Sequence, residues 1–158
     1  MNAGRILAGL AMMTVASTAS AQVTQDVTIA VNAISQIAVT GGAQSLTIST
    51  ATAGSPTMST STTVSWAVTT NQANQKVTAS VDQALPAGVT LFAQMEAPAG
   101  GASFGPNALS TSSVDLVGSI STLAESGLDL IYTLSALPTA GVVASTTRTV
   151  TYTITAGP

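Results

Sequence analysis

A chain of 158 residues with three cations, six acids, no histidine and no cysteine lacks the commonest general base, the thiol nucleophile, the usual zinc ligands and any disulfide. Its formal charge of −3 leaves too few cations to neutralise a phosphate backbone, which all but excludes nucleic acid as a partner and disfavours anionic lipid surfaces for the same reason. Charged residues make up 6% of the sequence against roughly a quarter in an ordinary soluble domain, so serine and threonine hydroxyls must solubilise the surface, an unusual arrangement for a protein that stays single in solution.

Residues 1–21 read as a secretory signal. Arg5 supplies the positive start, Ile6 to Met13 the apolar stretch, and Ala19-Ser20-Ala21 the A-x-A pattern of a cleavage site. The apolar run is well short of the roughly 20 residues that span a bilayer, so cleavage before Gln22 is expected. That leaves 137 residues (158 less the 21 removed), one domain's worth. It also leaves Lys76 and Arg148 against Asp26, Asp82, Glu96, Asp115, Glu125 and Asp129, a balance of −4. No later stretch is long and apolar enough for a transmembrane helix, and the expected destination is outside the cytoplasmic membrane.

The new N-terminus, residues 22–40, keeps one phase for a long way. Val23, Gln25, Val27, Ile29, Val31, Ala33, Ser35, Ile37 and Val39 all fall on odd positions, across 17 residues. Fully extended, such a segment spans roughly 56 Å, whereas a compact domain of this size is only about 30–40 Å across. Two outcomes are open. Part of the segment extends past its own domain and fills a groove on another copy, or a bend near Ala33-Ile34-Ser35, where Ile34 breaks the phase, returns it to its own sheet.

Residues 41–158 read as the body. Period two dominates: Val64, Trp66 and Val68; Val77, Ala79 and Val81; Val89, Leu91, Ala93 and Met95; Val114 and Leu116; Leu128, Leu130, Tyr132 and Leu134; and Val150, Tyr152 and Ile154. Each set alternates with polar or small residues, as half-buried strands do. Turn signals separate the runs: Gly41-Gly42, Gly54-Ser55-Pro56, Asn71 to Gln75, Pro86 to Gly88, Pro98 to Gly101, Gly105 to Asn107 and Pro138 to Gly141. Asn71 to Gln75 is expected to close a hairpin between the Trp66 and Val77 strands. Only Ser119 to Ser126 has room for a turn of helix. About eight strands in one domain imply an all-β single β-sandwich, jelly-roll or immunoglobulin-like, with an extended N-terminal strand.

Catalytic equipment is absent from the sequence. A serine nucleophile would need Lys76 as its base, and no S-x-x-K precedes it. Asp115 and Asp129 fall on the polar phase of their strands, where no glycosidase-like pair is set up. The acids stand singly, without calcium-loop spacing; they serve as solvated charges that keep strand edges apart. The expectation is no enzyme, no metal and no cofactor. An outer-membrane barrel is disfavoured because Trp66, Phe92, Phe104, Tyr132 and Tyr152 are too few for two aromatic girdles.

A removable signal, an alternating N-terminal extension and a cysteine-free all-β body resemble the subunits of extracellular filaments assembled by donor-strand complementation, the broad class of chaperone–usher pilins and TasA-like matrix fibres. The resemblance is architectural, and it departs from pilins in lacking a disulfide. It implies a homopolymer at the cell surface, with Val27, Ile29, Val31 and Ala33 as the donor residues entering a neighbouring subunit. The last strand adds a threonine face, Thr147, Thr149, Thr151, Thr153 and Thr155, which suits an exposed pleated surface and offers Thr149, Thr151 and Thr153 to O-linked glycans. The competing function is a monomeric secreted binding module for carbohydrate or another surface ligand. Sugar sites favour exposed aromatic platforms, and here the aromatics are few.

Overall fold

The computed structural model describes residues 21–158; the expected signal segment lies outside the described residues apart from Ala21. The regular structure there is β, save one 3-10 turn at Pro138–Ala140, in line with the all-β expectation. The strands are β1 (Ser35–Val39), β2 (Met58–Thr70), β3 (Gln75–Val81), β4 (Val89–Met95), β5 (Ala102–Ser103), β6 (Asn107–Ala108), β7 (Val114–Ile120), β8 (Leu123–Ala136) and β9 (Val150–Ala156). They make two antiparallel sheets, ordered β1-β2-β8-β4-β6 and β5-β7-β3-β9.

The alternating positions become the core. Trp66, Val68, Met95 and Leu130 of the first sheet share one cluster with Val77, Leu116, Val117 and Ile120 of the second, all essentially closed to solvent. Each such side chain contributes about 1.5–3 kcal/mol of transfer free energy. The indole N–H of Trp66 is buried without a hydrogen-bond partner among the described residues, an uncompensated donor that costs about 1–3 kcal/mol.

β2 and β8 run 13 and 14 residues, well past the usual five or six, and one bulge keeps them in phase. Leu128 faces Trp66 while Ser126 faces Ala67, so Gly127 has no opposite number. Its φ of 77° is open to glycine at little cost and strained for other residues. The bulge switches the inward phase of β8 from Leu123 and Glu125 before it to Leu128, Leu130 and Tyr132 after it.

From β2 onward, every connection crosses to the other sheet. The expected Asn71–Gln75 hairpin is therefore corrected: β2 and β3 belong to different sheets. The last five residues of β2 have β1 on one edge and β8 on the other, so no edge is left for β3 to pair with. The chain turns across with Asn74 at φ 51°. The helical turn allowed at Ser119–Ser126 is likewise replaced by strand, since β7 ends at Ile120 and β8 begins at Leu123. Only Ser121 and Thr122 lie between, the latter at φ 31°.

Residues 40–57 form no strand. Leu46 packs on the core from this loop and Ile48 is half-buried, while the Oγ1 of Thr62 donates to Gln44 Oε1 at 3.2 Å. The loop thus covers one flank of the core through side chains rather than through a backbone ladder.

Candidate functional site

The chain divides between Val31 and Asn32. On the N-terminal side, residues 21–31 carry no helix or strand. Val27, Ile29 and Val31 are 74%, 88% and 84% exposed, and Val23 is exposed as well. Ala33, the fourth expected donor residue, is also exposed but sits where the body begins. Of the 17-residue phase seen in the sequence, only Ser35–Val39 is a strand, paired with Thr70–Trp66. These five residues, placed in the extension by sequence, are an edge of the first sheet.

Asn71 anchors the root of this segment. Its Nδ2 donates to the Asn32 carbonyl at 2.8 Å, its Oδ1 accepts from the Ile34 N–H at 2.8 Å, and its own N–H donates to the Ile34 carbonyl at 3.1 Å. One carboxamide supplies both a donor, through its NH2, and an acceptor, through its oxygen. Sequence reading saw Asn71 merely as a turn residue; its 37-residue separation from Ile34 leaves no local signal.

At the other terminus, β9 pairs among the described residues with β3 alone. Thr151, Thr153 and Thr155 are exposed on its outer face, opposite Ser80, Thr78 and Lys76. Thr147 and Thr149 lie before the strand. There the Thr149 N–H donates to Asp82 Oδ1 at 3.0 Å, and the Arg148 guanidinium donates to the Ala84 carbonyl through both Nε and Nη2, so these residues are engaged in pinning the strand's entry. Thr149, Thr151 and Thr153 all present exposed side chains.

On the inner face of β9, the Tyr152 hydroxyl donates to the Tyr132 hydroxyl at 2.6 Å, linking the two sheets. Burial pushes both phenols above their ordinary value. The bond raises Tyr152 further, because ionisation would cost it the proton it donates, and it offsets part of the rise at Tyr132, which accepts. Both stay protonated through the neutral range, so the pair is a structural tie.

Charged groups are few and dispersed. Lys76 Nζ lies 3.0 Å from Asp115 Oδ1, a solvent-exposed pair worth about 0–1 kcal/mol. Among the described residues no cluster of acids, His or Cys could hold a metal ion. A shallow apolar depression of about 320 Å³ between Ile34, Asn71 and Leu123 contains no titratable side chain. No helix among the described residues is long and apolar enough to cross a membrane.

No family model, curated protein or solved structure matches the chain. What distinguishes the molecule is thus its own geometry: an exposed, alternating segment at one end and an unpaired strand edge at the other.

Proposed function

We propose that this chain is an exported structural subunit of an extracellular filament or matrix fibre, with a β-sandwich body, that polymerises by donating its N-terminal segment to a neighbouring copy. One observation carries the reading. Val27, Ile29 and Val31 share a phase that suits a buried strand face, yet they belong to no strand and stand open to water. Apolar surface of that kind is driven to find cover, and a strand added to an exposed sheet edge obtains backbone hydrogen bonds as well as pockets for alternate side chains. Donation from one copy to the next, repeated head to tail, produces an open fibre. The sparse charge of the surface agrees with a protein that works in an assembly. O-linked glycans on Thr149, Thr151 and Thr153 are part of this reading.

Expression of the full chain in an exporting host, followed by negative-stain microscopy of sheared surface material and intact-mass analysis, tests it. Filaments built from a subunit that begins at Gln22, with hexose increments in mass where glycans are attached, are expected. A protein that stays monomeric at high concentration after export refutes the proposal and favours the binding-module function.

A further inference from the structure

The two sheets end in four outer strands, and these differ in what they offer. β5 and β6 have two residues each, too short to template another strand. β1 has five, Ser35–Val39. β9 has seven, Val150–Ala156, and holds its register with β3 without a shift from Ala156 opposite Gln75 to Val150 opposite Val81.

Soluble proteins blunt long outer strands with charge, proline or a bulge. The sequence VTYTITA of β9 has none of these. Its inner face is also unfinished. Val77, Ala79 and Val81 on β3 are fully buried, whereas Val150, Tyr152 and Ile154 next to them on β9 are only half-buried. β1 of the first sheet approaches β9 on that flank without pairing with it, and the apolar row of β9 is left only partly covered.

We propose that the free edge of β9 is the acceptor for the N-terminal segment of a second copy of this chain. Gln25–Val31 adds there as one further strand, with Val27, Ile29 and Val31 completing the layer begun by Val150, Tyr152 and Ile154. This rests on the strand-donation reading above. The fit is in chemistry: beyond Asp26 the donor is as free of charge and proline as the edge it joins. The same phase that buries the three donor side chains turns Thr28 and Ala30 outward, beside the threonines of β9. The hydroxyl face of the second sheet is thereby widened by one strand.

The absence of cysteine from the chain allows the contact to be trapped directly. One full-length exported protein carries Thr28→Cys, and its mixing partners carry Thr151→Cys, Thr153→Cys or, on the β1 edge, Ala38→Cys. All four positions have exposed side chains, and circular dichroism verifies that each variant is folded. After mild oxidation, non-reducing electrophoresis is expected to show disulfide-linked pairs of Thr28→Cys with Thr151→Cys or Thr153→Cys, at least several-fold above those with Ala38→Cys. Adding Ile29→Asp to the donor should abolish them. Linkage to Ala38→Cys in preference overturns the β9 assignment while leaving strand donation standing. Filaments that form with no Thr28→Cys linkage to either edge overturn donation by this segment itself.

Discussion

The sharpest consequence concerns Ile29, because folding and assembly should respond to its replacement in opposite measure. In the free subunit Ile29 is 88% exposed, so Ile29→Asp removes no core contact and should change folding stability by no more than about 0.5 kcal/mol. In the proposed filament the same side chain would be covered by the acceptor. Losing its burial forfeits about 1.5–3 kcal/mol per junction, which corresponds to about a ten- to hundredfold weaker contact, and burying an unpaired carboxylate adds to that. The critical concentration for elongation should rise by at least that factor. Pelleting assays across a concentration series measure it, with thermal melting followed in parallel. Thr28→Asp is the control: it introduces the same charge on the opposite phase, so its effect on the critical concentration should be several-fold smaller. Equal effects at Thr28 and Ile29 would show that charge rather than a buried phase governs assembly. A large drop in melting temperature for Ile29→Asp would place the residue in its own subunit's core and refute the reasoning.

Two further outcomes follow from the packing. Leu130, closed to solvent between Val64 and Met95, should lose about 2–5 kcal/mol on replacement by alanine, read as a lower denaturant midpoint at unchanged slope. For the tyrosine pair, the folded state holds phenol protons that the unfolded chain releases above pH 10. Its stabilising contribution is therefore intact below pH 10 and is lost as the pH rises beyond it. Tyr152→Phe should cost about 1 kcal/mol at neutral pH, the worth of one hydrogen bond, and should lose stability less steeply above pH 10. An alkaline profile identical to that of the native chain would show that Tyr152 does not supply the linkage.

The sequence by itself marked most of the long strands of the body and which of their faces are buried. Val64, Trp66 and Val68, then Val77, Ala79 and Val81, then Leu128, Leu130 and Tyr132 announce a half-buried pleat, because side chains alternate strictly across a strand and no neighbour is needed to establish that. It also marked Val27, Ile29 and Val31 as an apolar face, whose exposure is a fact of the tertiary structure. Partnership between strands belonged to the tertiary structure alone. Asn71–Gln75 has the composition of a hairpin turn, but β1 and β8 already occupy both edges of β2 there, and that competition comes from residues up to about sixty positions away. The same holds for Asn71, whose bonds to Asn32 and Ile34 close a long loop. Backbone edges are chemically alike in every strand, so which edge pairs with which is settled only when the whole core assembles; by the same logic, β9 is left with its free side.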